Sequence, residues 1–278
     1  MTEAAARMQV DAFVISVNRP LSMRLVATLH LPRSAREVGV IVVTGGNQTR
    51  SGSHRQFLKL ARRFAAEGHA CLRFDLPGLG DSEGELQGFD INDAALRAAI
   101  DALMARSPLV KRIVLWGLCD GATAAALYAA NDSRVAGLIL ANPWVRTGQI
   151  QAQTLVKTYY RRRLVSPVFW GKLMRGKVGV VRSAREWLGN WRTARGAGDT
   201  NEGDLPARLA RALSRFAGPI EVIIAQQDLT GQEFLLVAKG MASLQSISIV
   251  TIGDADHTFS SQSWHQQLEA VSLKALAC

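Results

Sequence analysis

The stretch Trp116-Gly117-Leu118-Cys119-Asp120-Gly121 follows the apolar run Ile113-Val114-Leu115 and leads into a helical stretch, Ala122 to Ala130. It reads G-x-C-x-G, the G-x-S-x-G nucleophile pattern with cysteine where serine is usual. A small residue on each side of Cys119 lets a strand turn sharply into a helix and lifts the central side chain above the sheet edge. Five letters alone carry little weight. A strand before them and a helix after them constrain the chain strongly, because the pattern needs that context to work.

The rest of the chain supplies a matching background. Val38 to Val43 is a β-branched run that ends in Thr44-Gly45-Gly46-Asn47, so it reads as a buried strand entering a Gly-rich turn. Further strands are expected at Leu25 to Leu31, Ala70 to Phe74, Arg112 to Trp116, Val135 to Leu140, Pro219 to Ala225 and Ser246 to Ile252. Helices are expected from a capping box at Ser53 and Gln56 to about Glu67, over Ile91 to Met104, and over Gln262 to Leu276. This alternation predicts an α/β fold with a mostly parallel central sheet and helices on both faces. Between Val145 and Phe216 the alternation breaks. Residues 146–215 are therefore expected to form a helical cap, inserted into a core of residues 1–145 and 216–278.

Charge singles out the same segment. The net charge is +10, and residues 151–220 hold fourteen Lys or Arg against four Asp or Glu, so the remainder is near neutral. Arg161, Arg162 and Arg163 are its densest part. A basic cap has two readings: attraction of an anionic substrate or an acidic membrane surface, or a solvated helix face. No helix-turn-helix, zinc or RNP signature accompanies it, so nucleic acid is not an expected partner. The three cysteines lack metal-ligand spacing, and their odd number does not suggest a disulfide framework. No metal or cofactor is expected. Met1 to Asp11 lacks the apolar stretch of a signal peptide, and no apolar run is long enough to cross a bilayer, so a cytoplasmic protein is expected.

A thiol nucleophile at Cys119 needs a base, and the base needs an orienting acid. Of the five histidines, His30, His54 and His69 precede the elbow and His265 lies inside the closing helix. His257 alone follows a late strand. The strand before it ends in Gln226-Gln227-Asp228, which names Asp228 as the acid. Asp254 and Asp256 are too near His257 in sequence. Asn142-Pro143, after the Val135–Leu140 strand, offers no carboxylate. Two backbone N–H groups, from Asp120 and Gly46, are expected to bind the oxyanion.

The elbow, the Asp75-Leu76-Pro77-Gly78-Leu79-Gly80-Asp81-Ser82 loop, the late Asp228 and Asp254-Ala255-Asp256-His257-Thr258-Phe259 resemble the α/β-hydrolase superfamily. The segments Gly52-Ser53-His54-Arg55-Gln56-Phe57, Trp116 to Asp120, Asn142-Pro143-Trp144-Val145-Arg146 and Asp256-His257-Thr258-Phe259 resemble the exosortase A system-associated hydrolases, type 1. These are bacterial proteins encoded near exopolysaccharide and protein-sorting genes. The resemblance spans nearly the whole chain and implies a cysteine elbow as a family trait. It supplies no substrate.

The expected activity is hydrolysis of an ester, thioester or lactone on a small-molecule or lipid-linked acyl substrate. Acyl transfer in surface-polymer assembly is the first alternative, and a non-enzymatic binding module using the basic cap is the second. Peripheral membrane contact through the cap is a further expected partner role, and the sequence leaves the oligomeric state open. Asn47, His54, Trp144 and Arg146 are candidate substrate contacts. His54 reads more readily as a first-turn helix residue inside the capping box, and Trp144 equally as a packed residue beneath the cap. Asp75 to Ser82 reads as a structural turn.

Overall fold

Eight strands form one sheet in the order β1-β2-β4-β3-β5-β6-β7-β8 in the computed structural model of the protein. The structure describes residues 8–17, 22–45, 48–85, 92–145, 205–240 and 247–277. The strands are β1 (Gln9–Val17), β2 (Met23–Leu31), β3 (Val38–Val43), β4 (Cys71–Phe74), β5 (Arg112–Leu118), β6 (Val135–Ala141), β7 (Ile220–Ala225) and β8 (Ser248–Ile252). From β4 across to β8 every pairing is parallel, whereas β1 and β2 run antiparallel at one edge. The helices are α1 (Gln56–Ala66), α2 (Asp93–Arg106), α3 (Asp120–Ala129), α4 (Leu205–Arg215), α5 (Leu229–Gly240) and α6 (Gln262–Leu276).

The elbow strand β5 lies between β3 and β6 and is buried from Ile113 to Leu118. Strands covered on both faces read as continuous apolar runs, which is why β3, β5 and β6 are legible in the sequence. Val40, Val42, Val114, Trp116 and Ile139 join Phe57, Leu60 and Phe64 of α1 and Leu268 and Leu276 of α6 in one core. Alternate residues such as Ile41, Val43 and Leu115 point to the other face, where α2 and α3 pack. Trp116 is fully buried; its indole N–H donates to Ser272 Oγ of α6 at 3.1 Å. Its ring meets Phe57 edge-on at 5.8 Å between centroids. Burying side chains of this size contributes about 3 kcal/mol each, and the aromatic pair adds about 1 kcal/mol.

Three differences from the sequence expectations have physical causes. β1 was not anticipated. It is an edge strand whose Val10 and Val14 face solvent, and it is held from the side by α2, whose Arg106 pairs with Asp11 at 2.8 Å and stacks 3.6 Å over Phe13. α5 was also missed, because Thr230-Gly231 in its first turn reads as a breaker. The capping box at Ser53 and Gln56 does not form. Gln56 opens α1 itself, Arg55 before it sits in the left-handed region at φ 59°, and no side chain caps the helix.

Contacts along the chain group Met1–Val145 with Arg208–Cys278, apart from Arg146–Ala207. Most of the expected cap, residues 146–204, lies outside the described residues; the part that is described, Leu205–Arg215, is helical. Among the described residues no helix is long and apolar enough to cross a membrane.

Candidate active site

Cys119 occupies the single residue between β5 and α3, with φ 59° and ψ −125°. A side chain in that region costs about 1–3 kcal/mol and persists only where its surroundings enforce it. The enforcement is visible. A Cβ on Gly117 would stand 2.6 Å from the Ala122 backbone, and one on Gly121 would stand 2.5 Å from the Val43 carbonyl oxygen. One on Gly45 would lie 1.9 Å from Asp120 Oδ1. The three glycines interlock, and Cys119 stands above them.

The two described cysteines differ sharply. Cys71 is sealed in β4, and desolvation pushes its thiol up to about 12. Cys119 is partly exposed and lies beside the His257 ring, whose proton affinity it helps to raise. His257 Nδ1 lies 3.0 Å from Asp228 Oδ2. Asp228 is buried just past β7, and its Oδ2 also accepts from the Gly231 N–H at 3.0 Å. The hydrogen bond to Asp228, then that to Cys119, outweigh desolvation and raise the ring's proton affinity to about 10. The other two carboxylates of the loop are engaged elsewhere. Asp254 Oδ1 accepts from Gln227 at 3.2 Å, and Asp256 Oδ1 accepts from the N–H groups of Thr258 and Ser260 at 3.1 and 3.0 Å. The structure therefore brings Cys119, His257 and Asp228 together. Among the described residues no group of three or more His, Cys, Asp or Glu is arranged to hold a metal ion.

Comparison with known proteins bears on this arrangement. The alpha/beta hydrolase family model matches residues 40–271. The chain belongs to the alpha/beta hydrolase family. Its solved structural neighbours include the Pyrococcus furiosus esterase Pf2001, with a TM-score of 0.65 at 16% identity over 99% of this chain and 94% of that one. A dienelactone hydrolase from Anabaena variabilis gives 0.62 at 17% identity over 98% of each. Two curated relatives match shorter stretches. The quorum-quenching protein AidA of Acinetobacter baumannii is 36% identical over 123 residues, 42% of this chain and 40% of that protein. The polyketide transferase grgF of a Penicillium species is 33% identical over 122 residues, 41% and 39%. This chain thus spans about two fifths of the length of the curated relatives it matches.

In this alpha/beta hydrolase the remaining predicted site residues fall in different places. Asp120 begins α3, and its Oδ1 accepts from the Gly121 N–H at 3.1 Å. Gly46, Asn47 and Arg146 lie outside the described residues. Trp144 adjoins the elbow through its backbone: its N–H donates to the Cys119 carbonyl at 3.2 Å, and its carbonyl accepts from Thr123 Oγ1 at 2.7 Å. His54 is not a first-turn helix residue. It sits at φ 54° in a short 3-10 turn before α1 and lines an open cavity of about 430 Å³ with Gln56, Lys59, Thr258, Ser261 and His265.

The sequence reading missed a buried charge network beside the β3 exit loop. Asp75 is fully buried at the end of β4 and accepts from both the backbone N–H and the guanidinium of Arg50. Arg73, also in β4, donates to the Arg50 carbonyl and lies 3.0 Å from His30 Nε2. Desolvation, with Arg73 adding to it, lowers His30 to about 4 and keeps it a neutral acceptor. Arg50 is thus gripped at both backbone polar groups. Charges so buried need this degree of pairing, because an unpaired one costs several kcal/mol. The Asp75–Ser82 turn is structural, and this grip is what it does.

Proposed function

We propose that the chain is a cysteine hydrolase of a carboxylic ester, thioester or lactone. One observation carries the reading: the His257 ring, whose Nδ1 lies 3.0 Å from Asp228 Oδ2, also meets Cys119 at the elbow, and these two partners raise its proton affinity to about 10. With the thiol proton resting on the His257 ring, the Cys119 sulfur attacks the carbonyl carbon. A C–S bond forms and the carbonyl electron pair moves to oxygen, where the backbone N–H groups of Asp120 and Gly46 stabilise it. Collapse expels the leaving group, which takes the proton from His257. The neutral ring then removes a proton from water, whose oxygen attacks the thioester, and collapse frees the acid and regenerates the sulfur–imidazole pair. Asp228 holds the ring in the tautomer that each step needs.

A second reading keeps the triad and replaces water with an alcohol or amine. The similarity to a protein named a polyketide transferase favours keeping it in view. One experiment separates the two. p-Nitrophenyl acetate is mixed with the protein, with and without an added alcohol, and the Cys119 peptide is weighed by mass spectrometry. An acetyl adduct on Cys119, followed by free acetate even with alcohol present, supports the hydrolase. An acetylated alcohol as main product supports transfer. No adduct on Cys119 under rapid quench, with nitrophenolate still released, would sink both.

The narrower placement is part of the same proposal. It puts the chain among the exosortase A system-associated hydrolases, type 1, in the cytoplasm, near exopolysaccharide or protein-sorting pathways. Support comes from the four quoted segments, including Gly52 to Phe57 and Asn142 to Arg146. The basic surplus of residues 151–220 supports an anionic or membrane-associated acyl substrate. A kcat/KM that does not fall as salt is raised would remove that last element, because screening shortens the reach of the charges.

A further inference from the structure

The three residues of the proposed triad come from three separate parts of the chain, and one short segment touches two of them and the strand end that carries the third. Ala141 ends β6, and its carbonyl accepts from the Cys119 N–H at 2.9 Å. Three residues on, Trp144 N–H donates to the Cys119 carbonyl at 3.2 Å. The elbow is therefore held on both sides by residues 141–144. Between them stands Asn142, fully buried, with φ 44°. Its Nδ2 donates to the His257 carbonyl at 3.1 Å. Its Oδ1 accepts from the Ala225 N–H at 2.8 Å, at the end of the strand that leads to Asp228. Its own N–H donates to the Ile223 carbonyl at 2.9 Å. Ala225 in turn accepts through its carbonyl from the Asp228 N–H at 3.1 Å.

We infer that Asn142 is a positioning residue for this site: its side chain fixes the backbone of His257 relative to the strand end that carries Asp228, while its neighbours fix Cys119. The inference rests on the triad reading above. It explains why an asparagine is needed there. The task requires one donor for the His257 carbonyl and one acceptor for the Ala225 N–H, on a planar group of fixed span. Asparagine supplies both and tolerates the left-handed backbone better than other non-glycine residues. An aspartate would keep the acceptor and turn an oxygen toward the His257 carbonyl. The side chain is also boxed in: a Cβ on Gly231 would stand 2.7 Å from Asn142 Oδ1, and Gly231 is the residue whose N–H holds Asp228. A shift of Asn142 is therefore felt on both sides of the His257–Asp228 contact.

The test uses Asn142→Gly, since glycine takes φ 44° without cost and so removes the side chain alone. Two quantities are read: steady-state hydrolysis of p-nitrophenyl acetate, and the titration midpoint of the His257 ring by NMR of histidine-labelled protein. The expected result is a fall in kcat of about 10- to 100-fold with KM within about twofold, because a small misplacement of reacting groups costs that much. The ring midpoint should move down from the parent value as the contact with Asp228 loosens. A lower Tm with both readouts unchanged would overturn the inference and leave Asn142 a packing residue. A fall in kcat with an unmoved midpoint would overturn it too, since the loss would then lie outside the His257–Asp228 contact. Should Asn142→Gly not fold, Asn142→Ser, which adds no charge and is too short to bridge His257 and Ala225, is read against the same outcomes. Failure of the triad reading looks different: the parent protein would then form no acetyl adduct on Cys119.

Discussion

Cys119→Ala is expected to lose p-nitrophenyl acetate turnover by about 10⁴-fold or more, with its unfolding transition unchanged. The size follows from the proposed role: removing a covalent nucleophile leaves only binding and oxyanion stabilisation, which supply a small residue of catalysis. The unchanged fold follows from the elbow. Its backbone is fixed by Gly117, Gly121 and Gly45, not by the sulfur, so alanine leaves the turn in place. Cys71 cannot substitute, because it is fully buried and its thiol is pushed up to about 12. Cys119→Ser is expected to lose much of the activity while keeping a measurable part, since the geometry around His257 is set for a thiol. Initial rates with substrate in excess decide the matter. Activity in Cys119→Ala within tenfold of the parent would remove Cys119 from the chemistry.

Asp228→Asn is expected to act on both rate and stability. The rate should fall by about 10³- to 10⁴-fold, because an asparagine no longer selects the productive tautomer of His257 or stabilises its charge. The ring midpoint should fall from about 10 toward the ordinary 6.5, as the largest cause of its elevation is the Asp228 hydrogen bond. The pH dependence of stability follows in sign. A histidine raised in the folded state contributes stability that is fully present below about 6.5 and is lost as pH rises through about 10. The parent should therefore become easier to unfold by urea between those limits, and Asp228→Asn should show a flatter profile there. An equally steep profile in the variant would mean that Asp228 does not hold the proton.

Much of this arrangement was legible in the sequence, for a reason that also marks its limit. Cys119, Asp228 and His257 each follow a strand of the parallel sheet, and buried parallel strands announce themselves as apolar runs. Once β5, β7 and β8 are located, the residues just past their ends are few. Residues that act by hydrogen bonds across the sheet leave no such trace. Asn142 stood out as part of a resembling segment and for not being a carboxylate, never for its bonds, which reach 83 residues to Ala225 and 115 residues to His257. Arg73 sits inside β4, where a charge looks like an interruption, and only the fold reveals Arg50 and His30 beside it. The false capping box at Ser53 has a local cause. Helix α1 begins two residues later than the pattern suggests, after His54 and Arg55 take left-handed backbone that no pairing rule anticipates.

The interlocked glycines set the terms on which this site can be redesigned. A randomised library that touches positions 45, 117 or 121 would spend most of its members on chains that cannot close the elbow, since each added carbon meets atoms at 1.9 to 2.6 Å. Position 119 already carries a side chain, held at φ 59° by that mount. The reactive atom is the variable part and its mount is the fixed one, so new chemistry would enter through the tip of one side chain and the loops around it.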